Sequence, residues 1–140
     1  MTTQKAMIDY LDHQDEKLSY LAREIWSRPE IGLEERFACT LLADEIEAAG
    51  FTVERNVGQM ATAFVASWGS GAPVIGILGE YDALPGLPQQ LSADRQPIVN
   101  GGPGHGCGHN LFGVASMGAA LALKSVMEAQ QIPGTIRFYG

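Results

Sequence analysis

The spacing of apolar residues changes at Gly50, and this change constrains the fold more than any other feature. Between residues 5 and 26 apolar side chains recur every three or four positions, which indicates an amphipathic helix that ends near Pro29. A second helix is predicted over residues 34–49, with Gly50 placed to end it. In residues 51–57 apolar and polar side chains alternate, which is typical of a half-buried strand.

Further strands are predicted at residues 61–68, 74–78 and 135–139. Residues 74–78 are apolar on both faces, which favours a buried central strand in a helix-covered sheet. A helix rich in small residues follows over residues 111–125, and its composition would let it lie close to the sheet. The order of these elements predicts an α/β fold.

Composition narrows the functional classes. The chain has 140 residues, enough for one domain with a core, and a net charge of −7 without a block of lysine or arginine. Nucleic acid and membrane partners are therefore disfavoured, and a small molecule or a protein is the expected partner. The N-terminus does not resemble a signal peptide, and no segment is expected to reach transmembrane length. With Cys39 and Cys107 as the only cysteines, we expect a cytoplasmic protein without disulfides.

The glycine-rich run over residues 104–110 carries His105, Cys107 and His109. Thiolate sulfur and imidazole nitrogen are ligands that zinc and related divalent metals select, and the glycines allow the backbone to bring them together. The run therefore indicates half of a metal site. The alternative is that Cys107 is a small packing residue and the histidines are polar loop groups. The spacing does not match a zinc finger, so further ligands must come from elsewhere.

Acidic groups follow directly after the strand predicted at residues 74–78. Glu80 and Asp82 would lie past its carboxyl end, which is where open α/β sheets build their sites, although a simple turn is the alternative. The long polar stretch over residues 85–104 is predicted to be a site loop, either ordered or mobile. Asn110 could cap the helix that follows, which would put the His/Cys run at a helix N-terminus.

Five segments of the chain together resemble one family. They are IWSRPEIGLEE, AGFTVERNVG, GEYDALPGL, GHGCGHN and TIRFYG, in this order. The chain resembles the metal-dependent aminoacylase and glutamate carboxypeptidase family, most of all its aminobenzoyl-glutamate hydrolase branch. The similarity spans nearly the whole chain.

The resemblance implies a two-metal amidase with manganese or zinc. The expected fold is a three-layer α/β/α domain with a mixed, mostly parallel sheet, and a separate lid domain that usually mediates dimerisation. Residues 1–140 would be the N-terminal part of the catalytic domain, so the fold would be incomplete and the lid absent. The implied substrate is an N-acyl amino acid such as aminobenzoyl-glutamate, and the implied assembly is a homodimer or a complex with a partner subunit.

The resemblance also assigns the main site residues. Cys107 and His109 match the family's Cys-Gly-His metal ligands, with the cysteine as thiolate. Asp82 matches the aspartate that follows the core strand and supports catalysis.

Three neighbours of these residues are expected to lie at the site without an assigned ligand role. Glu80 stands where many relatives have a metal-binding histidine, and other members of the cysteine-containing branch also carry an acidic residue there. His105 matches a histidine frequent in the branch. Asn110 stands where other members often carry aspartate.

In the family, two metals polarise the amide and activate a water, and a glutamate transfers the proton to the leaving amine. That glutamate and further ligands match no position in this chain, so residues 1–140 alone are expected to be inactive. The alternative function is a non-catalytic truncated paralogue whose loop binds metal or merely packs, and whose sheet edge pairs with a partner. A thiol-redox role is a weaker third hypothesis, because the Cys-x-x-Cys pattern is absent.

Overall fold

The computed structural model describes residues 2–140, which form three α-helices and a four-stranded sheet, with a small second strand pair. The helices are α1 Thr3–Ser27, α2 Arg36–Ala48 and α3 His109–Gln130. The strands are β1 Thr52–Arg55, β2 Phe64–Ser70, β3 Val74–Leu78, β4 Leu84–Pro85, β5 Pro103–Gly104 and β6 Gly134–Tyr139, with a 3-10 turn at Val57–Gln59.

The helix ends follow from local capping. Thr2 precedes α1, and its hydroxyl oxygen accepts a hydrogen bond from the Lys5 amide at 3.3 Å. At the start of α2, the Glu30 carboxylate accepts hydrogen bonds from the amides of Phe37 and Ala38, at 2.9 and 3.0 Å. Gly50 follows the end of α2 with a left-handed φ of 91°. All three predicted helices are confirmed, with boundary shifts of a few residues.

The main sheet is mixed, in the order β1-β2-β6-β3. Strands β1 and β2 pair antiparallel, as do β2 and β6, while β6 and β3 pair parallel. The only parallel strand pair of this sheet within residues 2–140 is thus the one joined through α3, as expected for a crossover connection. The expected mixed sheet is confirmed, but the expectation that it is mostly parallel is wrong for these residues.

Strand β3 was predicted to be central, and that prediction is also wrong. It lies at the edge of the sheet because β6, which comes last in the chain, inserts between β2 and β3. Val74, Ile75 and Leu78 are 52%, 48% and 58% exposed. The apolar pattern correctly signals two faces fit for burial, but it does not give the strand's position in the sheet.

The core lies between the helices and one face of the sheet. Alternating residues of β2 and β6 point into it, and the Phe64 and Phe138 rings lie 5.6 Å apart between centroids. The opposite face, which carries Arg137 and Tyr139, is exposed. Residues 2–140 therefore form two layers of the expected three, and no helix in this part of the chain covers the second face.

Helix α3 has the length and hydropathy of a membrane span, contrary to the expectation that no segment does. However, 56% of its most apolar window is buried within the fold, as in the core helix of a soluble domain. It packs closely because of its small residues: a Cβ added at Gly113 would lie 2.8 Å from the Glu80 carbonyl oxygen. The predicted close approach of this helix to the sheet is confirmed.

Candidate metal centre

A histidine and two carboxylates meet where α3 begins and β3 has just ended. His109 Nδ1 lies 2.7 Å from Asp82 Oδ1, and His109 Nε2 lies 3.3 Å from Glu80 Oε2. One potential ligand atom from each side chain falls within 4.8 Å of the others. In residues 2–140 this is the one group of histidine, cysteine and acidic side chains with the spacing of a metal site.

The segment after β3 is held by its buried middle residue. Tyr81 is 4% exposed, and its hydroxyl donates a hydrogen bond to the Thr62 carbonyl oxygen at 2.5 Å. Burial raises the pKa of the Tyr81 hydroxyl, so it stays a donor at neutral pH. Because side chains alternate along an extended segment, burying Tyr81 turns Glu80 and Asp82 to the other side.

His109, the third member of this group, lies at the start of α3. Gly108 precedes α3 with a left-handed φ of 86°, a conformation that suits glycine, and its carbonyl oxygen accepts from the Leu111 amide at 2.9 Å. This places His109 at the first helical position. No side-chain cap satisfies this helix end. The start of α3 thus holds the His109 ring beside the two carboxylates.

The arrangement fits a divalent metal ion. Two ligands of a tetrahedral zinc ion, each about 2.0–2.2 Å from it, stand roughly 3.3 Å apart, so His109 Nε2 and Glu80 Oε2 need little movement to share an ion. Asp82 then accepts a hydrogen bond from the other ring nitrogen, which fixes the tautomer and orientation of the imidazole. His109 is the only basic group in ion-pair contact with either carboxylate in the described residues.

Cys107 is the predicted ligand that this group does not include. It is exposed, its thiol is free, and it does not belong to the group formed by Glu80, Asp82 and His109. The alternative that Cys107 is a buried packing residue does not hold either. Its role as a metal ligand stays a prediction.

Asn110 and His105 were also predicted to lie at the site, and both have buried side-chain atoms. Asn110 is 7% exposed, and its Nδ2 donates to the Ala22 carbonyl oxygen at 3.1 Å, which ties α3 to α1. It does not cap α3 as predicted, because the helix starts at His109 and Asn110 is its second residue. The ring nitrogens of His105 are both buried without a hydrogen-bond partner in the described residues, and burial lowers the pKa of this imidazole.

Sequence reasoning missed a third carboxylate near this centre. Glu35 is 8% exposed, and its Oε2 has no hydrogen-bond partner in residues 2–140. A Cβ added at Gly32 would lie 3.8 Å from Glu35 Oε1 and 4.0 Å from Asp82 Oδ2, so both carboxylates border the same small space. Glu35 fell inside the helix predicted over residues 34–49, and nothing in the sequence pattern set it apart from the other polar residues of that helix.

Comparison with known proteins places the chain. No family model matches it. It is 47% identical over 133 residues to a subunit of the p-aminobenzoyl-glutamate hydrolase of Escherichia coli, an alignment covering 94% of this chain and 28% of that protein. It is 34% identical over 137 residues to the human Xaa-Arg dipeptidase, covering 88% of this chain and 28% of that protein. The chain belongs to the metal-dependent aminoacylase and glutamate carboxypeptidase family. The family predicted from the sequence is therefore confirmed.

Solved structures agree with this family fold. A dinuclear metal-binding peptidase of the M20 family from Bacillus subtilis superposes with a TM-score of 0.70 at 24% identity, over 89% of this chain and 34% of that one. A protein from methicillin-resistant Staphylococcus aureus, proposed to be an aminohydrolase, gives a TM-score of 0.77 at 20% identity, over 96% of this chain and 34% of that one. The chain spans 28% of the length of the curated relatives described above.

Proposed function

We propose that this chain supplies part of the active site of a metal-dependent amidohydrolase. The observation that carries the proposal is the placement of His109 between the carboxylates of Asp82 and Glu80, at 2.7 and 3.3 Å. Family membership supports the reaction class, since relatives at 47% and 34% identity are a hydrolase subunit and a dipeptidase.

In this proposal each residue has a defined task. His109 Nε2 and Glu80 bind one divalent ion, while Asp82 holds the His109 ring through Nδ1. A bound ion of this kind polarises an amide carbonyl and makes a bound water more acidic. Imidazole and carboxylate donors suit both zinc and manganese. Cys107, flanked by glycines on an exposed bend, is the proposed further ligand.

The proposed substrate is an N-acyl amino acid, with an aromatic acyl-glutamate as the first candidate. One relative acts, by its name, on p-aminobenzoyl-glutamate and is called a subunit, and this supports both the substrate class and a partner subunit or a second copy of the chain. We also propose a cytoplasmic location, which the free thiols of Cys39 and Cys107 support, because a reducing compartment keeps thiols free.

The test measures hydrolysis of N-benzoyl-glutamate by the protein that the gene encodes. Hydrolysis is compared between protein supplied with zinc or manganese and protein from which a chelator has removed the metal. We expect metal-dependent release of glutamate that falls by about two orders of magnitude in His109→Ala. His13→Ala is the matched control, because His13 is an exposed histidine on α1. Activity that survives both chelation and His109→Ala would overturn the proposal. A protein that binds metal at this centre but hydrolyses no N-acyl amino acid would instead be a non-catalytic metal-binding module.

A further inference from the structure

A cavity of about 550 Å³ lies beside the glycine-rich run, within the range usual for small-molecule sites. Its wall comes from the end of α1, from the loop after β4 and from the start of the run. The main lining side chains are Trp26, Leu87, Leu91, Ile98, Val99 and His105.

The loop that forms most of this wall leaves apolar side chains uncovered. Leu91, Ile98 and Val99 are 93%, 56% and 61% exposed. Clustered exposed apolar side chains around a concavity mark a binding site more often than a free surface. These three residues lie in an otherwise polar stretch, and packing of the core does not require them to be apolar.

The same loop is held in a defined shape. The Gln89 side-chain amide donates to the Asp94 carbonyl oxygen at 2.7 Å, and its oxygen accepts from the Gln96 amide at 3.1 Å. The Ile98 amide donates to the Pro88 carbonyl oxygen at 3.3 Å. The cavity is therefore preformed, which lowers the entropy cost of binding a ligand.

The cavity is continuous with the chain segment that leads to the candidate metal centre. A Cβ added at Gly104 would clash with the Leu87 carbonyl oxygen, and one added at Gly106 would lie 2.7 Å from Leu87 Cδ1. Leu87 thus packs directly on the run that leads into His109. The cavity lining extends along this run as far as Gly106, three positions before His109.

The charge of the lining side chains determines which part of a substrate the cavity can bind. The lining contains no aspartate, glutamate, lysine or arginine among the described residues. An ionised glutamyl group placed there would lose its hydration without a charged partner. A flat aromatic ring, in contrast, gains from burial and from contact with the indole of Trp26.

We propose that this cavity binds the aromatic acyl group of the substrate, with Trp26 and Ile98 as specificity-determining residues. This inference rests on the proposed amidohydrolase function and extends it to the acyl side of the scissile bond. The charged amino acid portion then lies outside the cavity, on the side of the metal centre.

The test compares two probes on the purified chain by isothermal titration calorimetry: N-benzoyl-glutamate and N-acetyl-glutamate. Burying the ring predicts at least about tenfold tighter binding of the benzoyl compound. Ile98→Asp should remove this preference, whereas Ile8→Asp should keep it, because Ile8 is similarly exposed, at 50%, but lies on α1 away from the cavity. Equal affinity for the two probes, or equal losses in the two variants, would overturn the proposal.

Tryptophan fluorescence gives an independent readout. Benzoyl-glutamate should change the emission of wild type and of Trp68→Phe, but not of Trp26→Phe. Trp68 is the matched control because it lies on the sheet, with Lys124 Nζ 5.4 Å from its ring centroid. A response that is lost in Trp68→Phe but kept in Trp26→Phe would place the probe near Trp68, away from the cavity, and would overturn the proposal.

A metal titration separates failure of this inference from failure of the proposed function. Ile98→Asp should bind zinc as wild type does, since Ile98 is not among the proposed ligands. Normal metal binding without a preference for the benzoyl compound would overturn the inference about the acyl pocket and would not affect the hydrolase proposal. Loss of metal binding in His109→Ala with the aromatic preference intact would support the inference, because the two sites use different side chains.

Discussion

The first turn of α3 and the glycine-rich run before it are neighbours in the chain, but they hold their donor side chains differently. His109 is held at both ring nitrogens by carboxylates from the segment after β3. Cys107, two positions earlier, is exposed on a bend between glycines. The first region is fixed by long-range contacts, and the second depends on local backbone freedom.

The comparison shows what brings a donor into a site. Both residues belong to one short motif and offer metal-binding atoms, so composition alone cannot rank them. The helix start positions the imidazole, and the buried Tyr81 positions its carboxylate partners. A side chain without such contacts becomes ordered only when it binds a ligand or contacts another part of a protein. The following predictions test this difference.

The largest expected effect is that of His109→Ala. Removing the imidazole leaves two carboxylates as the only held donors of the group, so affinity for zinc should fall by about two orders of magnitude in a calorimetric titration. His13→Ala should bind as wild type does. Unchanged affinity in His109→Ala would mean that the bound metal sits elsewhere.

Asp82→Asn tests the orienting role of the carboxylate. The amide keeps the size of the side chain but loses its charge, so the His109 ring is held less firmly and zinc affinity should fall by about tenfold. The same titration at several pH values provides the check. A loss as large as that of His109→Ala would show that Asp82 is itself a ligand.

Asn110→Ala separates the structural tether from the metal centre. Its amide is buried and bonded to the Ala22 carbonyl oxygen, so truncation should cost about 1–3 kcal/mol of unfolding free energy in urea titrations. Zinc affinity of the folded protein should change by less than about twofold. A tenfold loss of affinity with unchanged stability would contradict the assignment of Asn110 as a tether.

The smallest structural perturbation is alkylation of the two thiols. Burial raises the pKa of Cys39, so little of it is thiolate near neutral pH, and its reaction should be slow and should speed up as pH rises. Exposed Cys107 should react first, as followed by mass spectrometry with iodoacetamide. Added zinc then decides the predicted ligand role: protection of Cys107 would support it, and undiminished reaction would contradict it.

Much of the fold follows from apolar spacing. The helices and the four strands of the main sheet were predicted from the sequence. Each of them buries one face, and the apolar residues of that face recur with the period of a helix or of a strand. The order of strands was not predicted, because β6 inserts between β2 and β3 through contacts far apart in the chain. This is why β3, apolar on both faces, was wrongly predicted to be central.

The site was only partly predictable for the same reason. The rule that strand ends carry sites drew attention to Glu80 and Asp82, which the structure brings together with His109. The pairing of Asp82 with His109 joins residues 27 positions apart, and only the packing of α3 on the sheet reveals it. The burial of the Glu35 carboxylate likewise depends on tertiary contacts that leave no local pattern.

The most direct test of the metal centre is a crystal structure of the zinc-loaded protein with anomalous data collected at the zinc absorption edge. The account predicts an anomalous peak about 2.0–2.2 Å from both His109 Nε2 and a Glu80 carboxylate oxygen, with Asp82 bonded to His109 Nδ1. A zinc ion bound away from His109, or a fully loaded protein with no peak between His109 and Glu80, would contradict it.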